Sequence, residues 1–183
     1  MSTAQAAVTT WNIDPAHSVA EFKVKHMMIS NVKGTFPKVA GALTLDESDL
    51  AKSSIEATID VSSIQTRDEQ RDGHLKSADF FDVEKYPTMT FKSTGVKVTG
   101  AGEGKVEGDL TIRDVTRKVV FDVEGPSEPT KDPWGNLRIG VSATTKISRK
   151  DYGLIWNAAL ETGGVLVGDD VTITLDVEFI KAK

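Results

Sequence analysis

The chain has 183 residues, no cysteine and a formal net charge of −5. Without cysteine there is no disulfide framework, no thiolate nucleophile, no cysteine–zinc site and no iron–sulfur ligation. The acidic balance, with Lys and Arg scattered rather than clustered, argues against nucleic acid as a partner, and no apolar run approaches the ~20 residues of a membrane-spanning helix.

The length fits one domain over residues 1–183, with no linker, internal repeat or low-complexity tract. Met1 to Thr10 has neither a basic n-region nor an apolar h-region, so a cytoplasmic protein is the expectation, or a periplasmic or secreted one if a leader was trimmed. The alternation of apolar and polar residues then predicts eight or nine strands, because successive side chains of a strand point to opposite faces. From Ser18 to Met28, Ala20, Phe22, Val24 and His26 share one face, against Val19, Glu21, Lys23 and Lys25. A second strand runs from about Lys33 to Leu45, with Gly34 and Gly41 as bends or bulges. Ile55, Ala57, Ile59 and Val61 alternate with polar residues, and a short strand after Pro87 holds Met89 and Phe91. Val96 and Val98 lead to a turn at Gly100–Gly104, followed by Val106, Gly108, Leu110 and Ile112. Lys118 to Glu124 is next, then a Pro-rich loop from Gly125 to Gly135. Leu137, Ile139, Val141, Ala143, Thr145 and Ile147 mark a long strand, and Val171 to Phe179 alternates without a break.

Two stretches break this rhythm. Ile64 to Lys85 predicts a short helix over Asp68 to Ala78, interrupted at Gly73, and Ser148 to Thr162 forms a second long loop. Long loops more often carry function. The strands make either a sandwich with a dry core or a closed barrel able to hold one small ligand. The length of segments such as Leu137 to Ile147, and an inward set rich in small aliphatic residues, lean towards the barrel.

The candidate chemistry is thin. His17, His26 and His74 share no HxH or HxxxH spacing, so no metal site is expected. His26 lies on the inner face and needs a hydrogen-bonding partner or a ligand head group there. Asp72-Gly-His74 pairs an acid with an imidazole, but no GxSxG elbow completes a triad. Arg67, Arg71 and Arg149 lie in the long loops and could hold an anionic head group, or pair with Asp68, Asp72 and Asp151. No nucleotide fingerprint appears, and no cofactor is expected.

Particular stretches carry a family likeness: Trp11-Asn-Ile-Asp-Pro-Ala-His-Ser18, Ala20-Glu-Phe-Lys-Val-Lys-His26, Gly34-Thr-Phe36 and Ser63-Ile-Gln-Thr66. Asp72-Gly-His-Leu-Lys-Ser-Ala-Asp-Phe-Phe-Asp82 is the most specific, and Tyr86-Pro87, Phe91-Lys-Ser93, Gly108 to Ile112, Thr116 to Val119 and Arg149-Lys-Asp-Tyr-Gly153 follow in order. The chain resembles the YceI-like, polyisoprenoid-binding family from about Trp11 to about Phe179. The resemblance implies an all-β fold, an extended eight-stranded antiparallel lipocalin-like barrel, with short helical segments in the two long loops. It also implies an elongated apolar pocket for a long-chain isoprenoid or other lipid, commonly a homodimer, and no established catalysis. Two departures stand out: Asp151-Tyr152-Gly153 where acid-Phe-Gly is usual, and Val39 where an aromatic is common. The extra hydroxyl would touch the ligand or reach solvent, and Val39 would trim the pocket wall.

The resulting expectation is a non-catalytic carrier or store for a polyprenyl phosphate, isoprenoid quinone or fatty-acid derivative. Its lining would be Phe22, Val24, Met28, Phe36, Ile59, Met89, Phe91, Leu110, Ile139 and Val141, with His26, His74, Arg67 and Arg149 at the polar end. The rival is an enzyme acting on an isoprenoid or quinone through His74 and Asp72. A dry sandwich serving only as a partner-binding module is the third reading.

Overall fold

The computed structural model describes residues 7–183. The strands are β1 (Val8–Ile13), β2 (Val19–His26), β3 (Ser30–Phe36), β4 (Val39–Asp46) and β5 (Ser54–Asp60). Helix α1 (Glu69–Lys76) precedes β6 (Thr88–Gly100), β7 (Glu103–Ile112), β8 (Val115–Glu124), β9 (Thr130–Lys131), β10 (Leu137–Ser148) and β11 (Val167–Lys181). They form one sheet in the order β3-β2-β11-β1-β4-β5-β6-β7-β8-β10-β9. A further pairing of β11 with β10 closes it, so the molecule is an eight-stranded antiparallel barrel.

Two of the staves are bent. β1 and β2 lie in succession along one edge of β11, Ile13 opposite Phe179 and Val19 opposite Asp176. Between them Asp14 caps a 3-10 turn that Pro15 begins, an arrangement proline's fixed φ favours. β3 pairs with β2 and β4 with β1, and Pro37 sits at the bend between them. The predicted strand reaching Met28 ends at His26 instead. Met27 and Met28 take φ of 51° and 62°, and the Ile29 N–H returns to the His26 carbonyl at 3.1 Å. That hairpin turn points both methionines away from the barrel.

α1 runs through Gly73 without interruption, since Asp68 accepts a hydrogen bond from the Arg71 N–H at 2.9 Å and caps the helix. β6 is longer than its pattern suggests: a register shift between Ser93 and Gly95 breaks the alternation in mid-strand.

Both ends are pinned by a guanidinium. Arg138 on β10 reaches Asp14 (2.7 Å), Asp132 (2.7 Å) and Glu178 (2.9 Å). It thereby ties the β1–β2 bend and the loop before β10 to β11. Its hydrogen bonds hold the Asp14 and Asp132 carboxyls down at about 2. At the α1 end Arg149 plays a similar part, described below.

Candidate functional site

The inward faces of the staves do not meet. They enclose a cavity of about 860 Å³, within the range of pockets that bury a small-molecule ligand. Its walls are the alternating apolar residues that the pleat points inward, among them Ile173, Leu175 and Val177 of β11 and Val141, Ala143 and Ile147 of β10.

Glycines help keep this space open. A Cβ on Gly34 would lie 2.3 Å from the Phe22 ring, and one on Gly108 would lie 2.5 Å from the Phe91 ring. Gly34 is the direct cross-strand partner of Phe22, and Gly108 lies opposite Ser93. Both rings therefore lie down on bare backbone instead of standing up into the lumen. Phe22 then packs against Phe36 at 5.6 Å, and Phe91 edge-on against Phe121 at 5.2 Å.

The segment with α1 covers one end, bringing Leu75, Phe80 and Phe81 onto the cavity. The His74 ring stands edge-on to Trp156 at 4.7 Å and to Phe80 at 5.1 Å. At the other end the lining residues Val98, Glu103 and Glu128 reach solvent.

All the lining and polar-end residues expected from the sequence face this cavity except Met28, Arg67 and Ile139. Met28 lies beyond the end of β2 on the exposed turn. Arg67 is exposed before α1, with φ of 68° that turns the chain. Ile139 is inward but lies opposite Phe179, in the solid packing around Trp11 that closes its end of β10.

Arg149 corrects a further expectation. It lines the cavity, but four of its five N–H groups are already taken by backbone carbonyls. Its Nε donates to the Gly168 carbonyl (2.7 Å), Nη1 to those of Leu154 (2.5 Å) and Trp156 (2.9 Å), and Nη2 to that of Val167 (3.2 Å). Asp169 lies 3.8 Å from Nη2. Burial pulls this guanidinium below its usual pKa, opposed by the Asp169 charge. Arg149 is thus the clip that folds the long loop before β11 onto the barrel.

The imidazole–acid pair is not formed either. Residues two apart on a helix face different ways. His74 Nε2 meets Asp79 at 2.8 Å, while the Asp72 carboxylate accepts from the Thr66 N–H at 2.9 Å and from the Thr66 hydroxyl.

Arg71 joins the site in place of Arg67. It is half-buried on the cavity, with Nε donating to the Thr66 hydroxyl at 2.9 Å and Nη2 to the Thr66 carbonyl at 2.6 Å. Among the described residues no carboxylate lies within 4.0 Å of it. The Thr66 hydroxyl orients the guanidinium and passes its own proton to Asp72, so the nearest carboxylate stands one hydrogen bond away. The Tyr152 hydroxyl neither reaches solvent nor finds a partner, although the residue lines the cavity and is 1% exposed. Burial, and secondarily the Asp151 charge, push its pKa up to about 12. Val39, also on the wall, is buried. Asp14, His17 and Glu178 are close enough to hold a metal, but Asp14 and Glu178 already accept from Arg138.

A family model described as the YceI-like domain matches residues 11–179. The chain belongs to the YceI-like family. A UPF0312 protein of Staphylococcus aureus strain N315 is 43% identical over 174 residues, which covers 94% of this chain and 98% of that protein. The crystal structure of a Campylobacter jejuni YCEI protein superposes with a TM-score of 0.73 at 33% identity, covering 88% of this chain and 91% of that one. A polyisoprenoid binding domain from Saccharophagus degradans shares the fold at 16% identity, with a TM-score of 0.66 over 96% of this chain and 100% of that one.

Proposed function

We propose that this YceI-like protein binds a long-chain isoprenoid or related lipid inside the barrel and carries or stores it without chemical change. The observation that carries the reading is the apolar lumen of about 860 Å³, kept hollow where aromatic rings lie on glycine. Each buried methylene contributes about 0.8 kcal/mol, so ten of them supply roughly 8 kcal/mol of gross transfer free energy. That is of the order of the ~4–15 kcal/mol lost in translation and rotation on association. The shared fold of a polyisoprenoid binding domain supports the same ligand class.

The polar end of such a ligand meets Arg71, His74 and His26 at the α1 end, where Arg71 has no carboxylate in direct contact. The His74–Asp72 pair on which an enzymatic role would rest is not formed, since His74 is bonded to Asp79 and Asp72 to Thr66. The test is solvent extraction of the purified protein followed by mass spectrometry. A co-purifying lipid, or stoichiometric uptake of an added polyprenol that is recovered unchanged, is the expected result. A protein that yields no lipid and takes up no polyprenol would refute it.

A further inference from the structure

The β2–β3 turn carries the largest run of exposed apolar side chains in the described chain. Ile29 is 79% exposed and Met28 61%, with Met27 beside them. The loop before β11 adds Val165 at 39%. These segments form one tip. The Met27 N–H donates to the Leu166 carbonyl at 2.8 Å, and the Leu166 N–H to the Ala158 carbonyl at 2.9 Å. Gly164, with φ of 89°, has its bare α-carbon against the Met28 sulfur. Contiguous exposed apolar groups of this kind mark an interaction site.

The conformation makes the choice of residues more pointed. Two successive residues with positive φ at a hairpin turn call for Asn-Gly or Asp-Gly. Methionines occupy both positions, at a conformational cost, and remain 42% and 61% exposed. The turn is built to present side chains outward.

Immediately behind the tip the outer face of the hairpin is cationic. Lys23 stands directly across from Lys33, and Lys25 lies one step nearer the turn opposite Asn31. Like charges placed directly opposite each other are unfavourable in a sheet. Among the described residues none of the three lysines has a carboxylate within 4.0 Å, and Asp169, on the strand beyond, is engaged by Arg149 and Lys150. An otherwise acidic protein thus carries three lysines without a salt bridge beside its apolar tip, with Glu21 farther from the tip on the same face.

We infer that the β2–β3 tip is a membrane-docking element that inserts into the interface of an anionic lipid bilayer. Apolar side chains backed by lysines are what such an interface recognises, the former entering the acyl boundary and the latter meeting anionic head groups. A second copy of the chain would bring the same three lysines to its own interface, so charge favours lipid over self-association. The choice of a bilayer rests on the lipid-binding reading of the cavity. The tip and the lumen share backbone, since His26, Leu166 and Val167 all line the cavity, and a docked protein would present that end to its lipid reservoir.

The test is co-flotation of the full chain with vesicles of phosphatidylcholine alone, and of phosphatidylcholine containing one third phosphatidylglycerol. Binding to the anionic vesicles is expected to weaken by at least about tenfold in Met28→Asp/Ile29→Asp and in Lys23→Gln/Lys33→Gln, and to fall with added salt. Asp tolerates positive φ and the substituted positions are exposed, so both variants keep the wild-type melt. Wild-type protein that ignores anionic vesicles, or variants that bind them as tightly as wild type, would overturn the inference. So would a dimer in light scattering that Met28→Asp/Ile29→Asp dissociates, because the tip would then belong to a second copy. Uptake of a fluorescent polyprenol delivered from ethanol, without vesicles, is measured in parallel. Its loss in wild type would sink the cavity reading alone, whereas its retention with vesicle binding lost would sink docking alone.

Discussion

Tyr152→Phe removes one oxygen and nothing else. That oxygen is buried without a hydrogen-bonding partner among the described residues, and such an orphan costs about 1–3 kcal/mol. The variant is therefore expected to be more stable than wild type at neutral pH. At the low end, 1 kcal/mol raises the melting temperature by roughly 2–4 °C for a chain of this size. The pH dependence gives an independent check on the same atom. The phenol pKa is pushed up to about 12 in the folded protein, from its usual 10.0. Stability from keeping this group protonated is intact below pH 10 and is lost as pH rises through 12, because the unfolded chain ionises first. At pH 11 the loss reaches about 1.4 kcal/mol, and the phenylalanine variant is spared it. Urea unfolding of both proteins at pH 7 and pH 11 measures the difference, in which all other titrating groups cancel. A variant equal to or weaker than wild type at pH 7, with a gap that does not widen at pH 11, would refute the account of an unpartnered hydroxyl. The sign should reverse with ligand: if the bound lipid carries a polar atom that meets Tyr152, the loaded wild type gains more than the loaded variant.

Other substitutions probe the remaining parts of the design. Phe22→Asp puts a carboxylate into the lumen and should abolish uptake of a fluorescent polyprenol while the soluble barrel persists in circular dichroism; undiminished binding would mean that the strand faces the other way. Gly34→Ala should force the Phe22 ring off the wall, lowering lipid capacity and costing about 1–3 kcal/mol of stability in denaturant melts. Arg149→Met leaves the Gly168, Leu154 and Trp156 carbonyls without this donor, while Val167 keeps Asn157, and should destabilise by about 3–5 kcal/mol, with early proteolysis in the loop before β11 as its signature. Asp14 and Asp132 titrate at about 2 in the folded protein, below their usual 3.8. Their contribution is complete above pH 4 and disappears as pH falls through 2, so the wild-type acid transition should flatten in Arg138→Met.

Strands whose two faces differ cleanly were legible in the sequence. In β5, β10 and β11 the apolar set is continuous and period two, and the inward residues follow directly. Legibility failed where local geometry interrupts the period. β1 shows its inner face through Thr9, Trp11 and Ile13, too short and too polar to stand out. The shift at Ser93/Gly95 divides β6 into two apparent fragments. Met28 continues the even-numbered pattern of Phe22, Val24 and His26, and only the turn conformation removes it from the lumen. The loops were least legible for a different reason. A charged residue in a loop gives no sign of whether carbonyls already surround it. Arg149 is held by four of them, whereas Arg71, with acids likewise nearby in sequence, is held by Thr66 and makes no direct ion pair.

The two guanidinium clips and the hollow lumen belong to one physical argument. A barrel with an unfilled interior forgoes the dispersion contacts and apolar burial of a solid core. Its walls must then be held from elsewhere. Arg138 at one end and Arg149 at the other bind backbone and carboxylates of non-adjacent segments, and Arg138 stands wholly off the cavity wall. The ends are fixed by directional bonds, while the middle remains lined by side chains that make few contacts across the lumen. An apolar guest restores those missing contacts, and a ligand that binds only the folded state adds RT ln(1 + [L]/Kd) to its stability. At a hundredfold excess over Kd that is about 2.7 kcal/mol, comparable to the penalty of a single core cavity. Loading and folding stability are therefore coupled in this barrel, and a change that fills the lumen with the protein's own side chains should raise the melting temperature of the empty form while removing its response to lipid.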